Sequence, residues 1–549
     1  MELSLGGIRF GSYIRRSEVS NSTHVAFDPE SSLGALKLWQ CPRACSVVVL
    51  CLSAACMLFS GWAVSVGWNN SIFDAHGFRQ AQTAISVYYT TWGSEFLNYE
   101  TPVLGPPWSI PFEFPMFQSI VAAIWHLFPL QLDQAGRWTS VAFFYATFLP
   151  FFILLRELKL GTLTALATVA LFAVSPQYIF WSRTFMIEST AICLAVTYLM
   201  FVVLVLNCDA ASATHCFVFG ALSAVTGALA GVVKVTTFAP FLLGALLLIG
   251  CRVWESWDRS RLRGALVSFV LLCAALIPVL FVAIWTAHAD SVKDQSTMSH
   301  FLTSHMLREW TFGTLQQRMD LASYAHFAGI GIGKAVDDVV GNRLLLLISC
   351  GIALAARGYT LRVIMACLAL YGSAIAIFFN LYLVHTYYAY ANGIFLITAV
   401  GVAVGSLLNA GGRKSWIGIC FFSLAIGSCV MHYVDGYYRV QRANAPGRLA
   451  AAAIVDRETK TSDVLFIYGL DWSPELPYQA HRRAIMIREF QRDAALQEAV
   501  REVGINRISS LLICDESPKS ASDVLTALQE DGVIFTRRFD RDGCEIYLR

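Results

Sequence analysis

The 549-residue chain is 56% hydrophobic and only 14% charged, with a mean hydropathy of +0.56. A soluble domain usually carries about a quarter charged residues, so this composition indicates a protein whose main solvent is lipid. The formal net charge of +2, without a basic run interleaved with aromatics, argues against nucleic acid as a partner.

Apolar runs long enough to form membrane-spanning helices recur along the chain. A helix crosses the bilayer core in roughly 20 residues. Residues 1–45 are polar and too long for the charged region of a cleavable signal, so they are predicted to be a cytoplasmic segment before a retained first span. We predict about 11 transmembrane helices, at 46–67, 138–155, 161–179, 186–206, 215–233, 236–252, 264–286, 343–356, 361–384, 390–409 and 415–434.

The distribution of lysine and arginine predicts the orientation of these spans. With a cytoplasmic N-terminus, four of the five short cytoplasmic loops are basic, as the positive-inside rule expects. The long loops 68–137 and 287–342 then lie on the extracytoplasmic side. This topology requires that the apolar piece 116–130 does not cross the membrane. At about 15 residues, with a histidine and a proline, it is predicted to be an in-plane or re-entrant helix.

From about residue 455 the composition becomes that of a soluble module. Its patterns predict strands and helices in turn, at 463–469 (strand), 485–503 (helix), 508–514 (strand), 521–531 (helix) and 533–548 (strand). We therefore predict a transmembrane domain over 46–435 and a small extracytoplasmic α/β domain over 455–549.

Cysteine usage gives no sign of a metal site or a disulfide framework. Most of the 15 cysteines lie inside apolar runs, where a thiol behaves as a small hydrophobe. No CxxC pair and no cysteine/histidine ligand spacing is present, so neither zinc nor a disulfide framework is indicated.

The first extracytoplasmic loop contains candidate catalytic residues. In FDAHGFRQAQTA, an acid, an imidazole and a guanidinium stand close together as Asp74, His76 and Arg79. A carboxylate can accept the proton of a hydroxyl nucleophile or hold a metal, and an arginine can bind a phosphate through two parallel hydrogen bonds. Further on, Glu113 lies at the apolar boundary, where a carboxylate is costly unless it is paired or metal-bound. The alternative for Glu113 is a solvated acid favoured by the dipole of the following helix.

Three charged residues lie near later span boundaries. Arg183 and Glu188 are five residues apart in SPQYIFWSRTFMIEST and could form a structural ion pair instead of a site. Lys234 lies between two apolar spans without an acid nearby in the sequence. It either extends to the membrane interface or contacts a lipid phosphate.

A histidine and tyrosines end the ninth span in VHTYYAY. Tyrosines at this depth often form only an interfacial belt, which accounts for Tyr387 and Tyr388. His385 is a candidate metal ligand, general base or phosphate donor.

These segments resemble the polytopic glycosyltransferases with the GT-C fold, especially the family-39-like branch of protein O-mannosyltransferases and the lipid A aminoarabinose transferase. The resemblance covers about residues 46–435. Asp74 matches the aspartate of the first loop, and Glu113 with Pro115 matches a Glu-Lys-Pro motif whose lysine is replaced here by Phe114. The remaining matches are an SP…R turn with a following acid and an H-x-Y-Y element: Ser175, Pro176, Arg183, Glu188, His385, Tyr387 and Tyr388.

The resemblance implies transfer of a monosaccharide from a polyprenyl- or dolichyl-phosphate donor to a hydroxyl of a protein, lipid or polysaccharide acceptor, with inversion. It implies that Asp74 deprotonates or orients the acceptor hydroxyl and that Glu188 positions the acceptor. Glu113 and His385 would bind a divalent metal ion or orient the sugar. The implied donor-binding residues are Arg79, Lys234, Arg183, Tyr387 and Tyr388.

We expect a multi-pass protein of the bacterial inner membrane with an extracytoplasmic active site. A transporter or lipid-linked sugar flippase is the alternative, and it would carry charged residues in mid-span. Here the charged candidates lie at the ends of spans on one face, which favours an enzyme. A receptor or scaffold would need ligand-like features in 455–549, where only Asp471, Trp472 and the pair Arg482 and Arg483 stand out, so this module is expected to recognise the acceptor.

Overall fold

The computed structural model describes most of the chain after the N-terminal segment. The predicted cytoplasmic residues 1–45 lie almost wholly outside the described residues. From residue 43 onward, the described parts belong to one compact unit. The described residues are 43–91, 93, 95–208, 213–256, 261–327, 332–443, 449–488, 494–514, 525, 526, 528–530 and 532–549.

The first half of the chain is mainly helical. In chain order the helices are α1 Arg43–Ser65, α2 Gly77–Tyr89, α3 Met116–Leu127, α4 Leu132–Ala146, α5 Phe148–Glu157, α6 Thr162–Val174, α7 Pro176–Trp181, α8 Glu188–Leu206, α9 Ala213–Val233 and α10 Val235–Ser256.

Long apolar helices and short surface helices alternate in the second half. They are α11 Arg261–Lys293, α12 Arg308–Phe312, α13 Leu315–Met319, α14 Leu321–His326, α15 Ile332–Val340, α16 Arg343–Ala356, α17 Gly358–Ile377, α18 Phe379–Val384, α19 Ala389–Leu408, α20 Gly412–Asp435, α21 Tyr437–Arg442, α22 Ala450–Glu458, α23 Glu475–Ala480 and α24 Ala494–Val503.

Several of these helices are long and apolar enough to cross a membrane. Within the described residues eight pass this test, and a pair bent by 81°, Gly333–Val340 with Arg343–Ala356, gives up to nine. The eight are Arg43–Ser65, Leu132–Glu157, Glu188–Leu206, Ala213–Val233, Val267–Lys293, Gly358–Ile377, Thr386–Leu408 and Gly412–Asp435.

Every predicted span coincides with a helix, so the polytopic helical fold class is confirmed. The count of eight to nine is lower than the predicted 11 because two predicted spans, 161–179 and 236–252, correspond to shorter apolar helices, Thr162–Val174 and Val235–Cys251. The piece 116–130 contains α3, a helix of 12 residues. At 1.5 Å per residue it is about 18 Å long, shorter than the roughly 30 Å bilayer core, as the in-plane prediction requires.

Two helices, α8 and α19, lie in the centre of the bundle and are buried on nearly all faces. Small residues let α19 approach α6 closely. Gly401 and Gly405 are four residues apart, and a Cβ atom at either one would overlap Oγ1 of Thr168 or Thr164. Small residues at this spacing are common where membrane helices pack closely. Inside a bilayer no hydrophobic effect drives helices together, so close van der Waals packing contributes more to their association.

The C-terminal region contains a five-stranded mixed sheet. Its strands are β1 Val464–Tyr468, β2 Arg483–Ile487, β3 Ile508–Ile513, β4 Arg537–Arg541 and β5 Cys544–Leu548, in the spatial order β2-β1-β3-β5-β4. The strands β2, β1 and β3 run parallel, and β5 is antiparallel to both β3 and β4. The strands predicted at 463–469 and 508–514 are therefore confirmed.

Two other predictions for this region are wrong in detail. The helix predicted over 485–503 begins as strand β2, and only its later part is helical, as α24. The single strand predicted over 533–548 is a hairpin that turns at Asp542 and Gly543, both with positive φ, as Asp-Gly two-residue turns require. The helix predicted at 521–531 falls largely outside the described residues.

The first loop is joined to this sheet. Leu104 forms a bridge with Ile485 of β2, and the backbone amides of Ala484 and Met486 donate to the carbonyls of Pro102 and Val103, each over 2.9 Å. Chain segments separated by nearly 400 residues thus form a continuous hydrogen-bonded edge.

A disulfide corrects the prediction from cysteine usage. Cys514, after β3, is bonded to Cys544 at the start of β5. The pairing joins the ends of two neighbouring antiparallel strands, whose register brings the two cysteines together. Sequence spacing alone could not show this.

Candidate functional site

Asp74 is anchored in the protein interior by two arginines. Its Oδ2 atom lies 3.1 Å from Nη1 of Arg183 and 3.9 Å from Nη2 of Arg137, and its side chain is only 2% exposed. Gln80 donates a hydrogen bond to the other oxygen, Oδ1, over 3.3 Å. The charge of the carboxylate is thus balanced inside the fold by two guanidinium groups.

Arg137, which sequence reasoning missed, fixes the start of the first loop. Its guanidinium donates hydrogen bonds to the carbonyls of Trp68, Asn70 and Ser71. The available signal was an arginine directly before a predicted span, at a depth where an unpaired cation is costly.

Arg183 and Glu188 do not pair with each other, although they are close in sequence. Arg183 binds Asp74 and the carbonyl of Gly67, and its side chain is fully buried. Its contact with the donor stays a prediction. Glu188, the first residue of α8, turns instead to Lys234.

The pair Glu188 and Lys234 is buried and forms a second charged centre. Their side chains are only 5% and 8% exposed. Lys234, in the break between α9 and α10, also lies 4.9 Å from the ring centre of Tyr388 and 5.4 Å from that of Tyr387. Glu188 Oε2 is buried without a hydrogen-bond partner in the described structure. Lys234 has no acid nearby in the sequence, but the fold places Glu188 in contact with it.

A third charged pair, Arg79 with Glu113, is more open. Arg79 lies in the first turn of α2 and binds the Glu113 carboxylate, and the two side chains are 23% and 14% exposed. Arg79 also donates to Oε1 of Gln82 over 2.6 Å. The carbonyl of Glu113 accepts a hydrogen bond from the Tyr99 hydroxyl over 3.0 Å, which fixes the segment that leads into α3.

His76, the residue directly before α2, has a left-handed conformation, with φ of 46°. Such a backbone is uncommon for a residue other than glycine, and it is found preferentially at functional sites. The conformation directs the imidazole toward Trp181, His385 and Tyr387, with ring centres 5.3, 5.7 and 4.9 Å away. These contacts bring together three separate chain segments.

Both histidines of this cluster lie outside the predicted spans and are held neutral. Burial lowers the pKa of His76, and the nearby Glu188 carboxylate acts in the opposite direction. Burial lowers the pKa of His385 to about 4, and repulsion from the positive charges of Arg79 and Lys234 adds to this shift.

The candidates thus sort into an inner anchor and an outer cluster. The anchor consists of Asp74, Arg137 and Arg183. The outer cluster, called the charged cluster below, contains two ion pairs and neutral rings: His76, Arg79, Glu113, Glu188, Lys234, His385, Tyr387 and Tyr388.

The described residues do not provide a fitting metal site. No three His, Cys, Asp or Glu side chains in the described part of the chain group as metal ligands would. Glu113 and Glu188 are each occupied by a cation of the protein. The arrangement is better matched to an anion, which could displace a carboxylate from Arg79 or Lys234.

Solved structures with a similar fold are membrane glycosyltransferases. ArnT from Cupriavidus metallidurans, bound to undecaprenyl phosphate, matches with a TM-score of 0.53 and 14% identity over 91% of this chain and 97% of that one. The chain has the GT-C fold. The archaeal oligosaccharyltransferase AglB from Archaeoglobus fulgidus, in complex with an inhibitory peptide and a dolichol-phosphate, matches with a TM-score of 0.52 and 11% identity over 84% of this chain and 69% of that one.

A second AglB structure from the same archaeon, in complex with Zn and sulfate, has a TM-score of 0.51 and 12% identity over 84% of this chain and 67% of that one. No family model matches the chain, and no curated protein matches it. The GT-C fold expected from the first-loop and later motifs is confirmed by these structural similarities.

Proposed function

We propose that this GT-C protein transfers a monosaccharide from a polyprenyl-phosphate-linked donor to an acceptor hydroxyl on the extracytoplasmic face of the membrane. The observation that carries the proposal is that the first loop and the α9–α10 break meet at Tyr387, whose ring centre lies 4.9 Å from that of His76 and 5.4 Å from Nζ of Lys234. The acceptor belongs to a protein, a lipid or a polysaccharide.

The two cations suit the phosphate of a membrane-anchored donor. Lys234 lies at the junction of two apolar helices, where a carrier whose tail remains in the bilayer can reach it. Arg79 offers the planar fork that binds phosphate oxygens through two hydrogen bonds. In the free protein each cation is neutralised by a carboxylate, so the site has little net charge until an anion arrives.

The reaction is a displacement at the anomeric carbon. The acceptor oxygen forms a bond to this carbon while the bond from the carbon to the phosphate oxygen breaks, and the electron pair remains on the phosphate. Attack from the opposite side inverts the configuration. Arg79 and Lys234 stabilise the negative charge that develops on the leaving phosphate, where fixed cations lower a barrier most effectively.

The acceptor proton passes to a carboxylate of the site. Glu188 has a free oxygen in the charged cluster, whereas the Asp74 carboxylate is enclosed by Arg137 and Arg183. We therefore assign proton acceptance to Glu188 and assign Asp74 to positioning the segment that carries His76 and Arg79. Neutral His385 is free to accept or donate a hydrogen bond to the sugar, and Tyr387 and Tyr388 flank Lys234.

Two independent features support an extracytoplasmic site. The positive-inside rule assigns the first loop to that side. The disulfide of Cys514 with Cys544 lies in the sheet that this loop extends, and disulfides persist in oxidising compartments.

The test is transfer of radiolabelled sugar from lipid extracts of the host to endogenous acceptors in membranes that contain the protein. Arg79→Ala should reduce transfer by about a hundredfold, the usual scale for losing one stabilising group of a transition state. Arg439→Ala, at a side chain that is 76% exposed, is the matched control and should transfer normally. Full transfer by Arg79→Ala would remove this residue from the site, and no transfer by the wild-type protein would shift the interpretation to transport.

A further inference from the structure

We propose that Lys234 is exchanged between Glu188 and the donor phosphate during the reaction, so that binding of the phosphate releases the base. This inference rests on the proposed function and adds to it a direct coupling between the two ends of the displacement. In the free protein Lys234 holds Glu188. In the complex it binds the phosphate, and Glu188 becomes free to accept the acceptor proton.

The burial of the pair makes such an exchange sensitive to a new charge. Both side chains are removed from water, at 5% and 8% exposure, so their attraction mainly offsets the free energy lost when each was desolvated. An anion that enters the same space is a second negatively charged partner for Lys234, beside Glu188. The ammonium already lies over the rings of Tyr387 and Tyr388, at 5.4 and 4.9 Å from their centres, so aromatic faces support the cation while it changes partners.

Glu188 is suited to the role of a base that is released. One of its oxygens binds Lys234, and the other, Oε2, is buried without a hydrogen-bond partner among the described residues. A buried carboxylate oxygen without a partner is costly, and such atoms call for a functional explanation. Here the missing partner would be the hydroxyl of the acceptor.

The chemistry drives the exchange in one direction. As the bond between the anomeric carbon and the phosphate breaks, the phosphate gains negative charge and attracts Lys234 more strongly. As Glu188 takes the acceptor proton, it becomes neutral and no longer competes with the phosphate for the same ammonium. Proton acceptance and departure of the phosphate therefore reinforce each other through one lysine.

The other ion pair is less suited to this exchange. Arg79 and Glu113 are 23% and 14% exposed, so water already screens their attraction. Arg79 also keeps a hydrogen bond to Gln82. We therefore expect Arg79 to bind phosphate without releasing a base.

Binding of undecaprenyl phosphate in detergent micelles, measured by thermophoresis, tests the exchange without requiring the acceptor. Glu188→Gln keeps the side-chain shape but removes the charge that competes for Lys234. It should bind the lipid phosphate about tenfold more tightly than the wild-type protein while sugar transfer is lost. Glu545→Gln, which removes the carboxylate of an exposed pair with Arg538, is the matched control and should change neither property.

The outcomes separate this inference from the function on which it rests. If the wild-type protein does not bind undecaprenyl phosphate, the proposed function is wrong. If it binds, but Glu188→Gln binds equally or more weakly at an unchanged melting temperature, the exchange is wrong and the function stands. Should Glu188→Gln fail to fold, Glu188→Asp replaces it: a shorter carboxylate holds Lys234 less well, so tighter binding supports the exchange and unchanged binding overturns it.

Discussion

At the scale of single residues, Asp74 shows how a motif can position a site without touching the substrate. Its carboxylate, 2% exposed, is the counter-charge for Arg183 and lies beside Arg137. His76 and Arg79 follow within five residues, so the anchor determines where both side chains begin. Removal of one partner from a buried group of charges typically costs about 3–5 kcal/mol, because the remaining charges stay buried without compensation.

We predict that Asp74→Asn lowers the melting temperature of the purified protein and its yield of folded material, because two buried guanidinium groups lose their counter-charge. Thermal unfolding in detergent, followed by tryptophan fluorescence, measures the effect. Asp435→Asn is the control, since its carboxylate is 70% exposed in its pair with Arg439. If Asp74→Asn melts normally but does not transfer sugar, Asp74 acts in the chemistry itself, as the family resemblance implies.

At the scale of elements, the site depends on how closely the central helices pack. The charged cluster takes Glu188 from the start of α8, and its tyrosines lie directly before α19. The helix α19 is fixed against α6 where Gly401 and Gly405 meet Thr168 and Thr164. A change in this contact would move the tyrosines that flank Lys234.

Gly401→Ala is therefore predicted to destabilise the protein, although alanine has the higher helix propensity. The added Cβ would overlap Oγ1 of Thr168, and overpacking of this kind costs typically about 1–3 kcal/mol. Gly372→Ala in α17 is the matched control, because a Cβ there meets nothing within 4 Å. Melting temperatures of the two variants would be compared, and equal values would show that α6 and α19 separate without cost.

At the scale of the whole molecule, the membrane domain and the C-terminal sheet act as one scaffold. Leu104 of the first loop extends the sheet at β2, and Glu100 forms an ion pair with Arg483 over 2.7 Å. The same loop carries Arg79 and Glu113. The sheet therefore fixes the loop that carries part of the charged cluster.

The disulfide provides a test of where this scaffold lies. Cys514 and Cys544 should be unreactive toward a maleimide in intact cells and become labelled only after reduction, as expected for a bond formed in an oxidising compartment. Mass spectrometry of the labelled C-terminal peptides measures this, and the Cys514→Ser variant should label at Cys544 without reduction. Labelling of the wild-type protein before reduction would place these residues in a reducing compartment.

Much of the architecture could be predicted because its signals are local. Each span is a continuous apolar stretch, and in the membrane a helix is the structure in which one such segment forms all its backbone hydrogen bonds internally. A helix too short to cross the bilayer within 116–130 and the strands β1 and β3 were also predicted from local patterns. The hairpin of β4 and β5 was missed because a short turn at Asp542 and Gly543 interrupts an otherwise uniform pattern.

The sequence alone determined that the chain is a membrane protein, because the hydropathy of a segment does not depend on its tertiary contacts. It also identified the polar residues that lie near the ends of the spans. Only the tertiary structure decided which charges meet. Arg183 binds Asp74, 109 residues away, and Lys234 binds Glu188, 46 residues away. The physical reason is that ion pairing depends on distances of a few ångströms between helices, and those distances are determined by packing across the whole bundle.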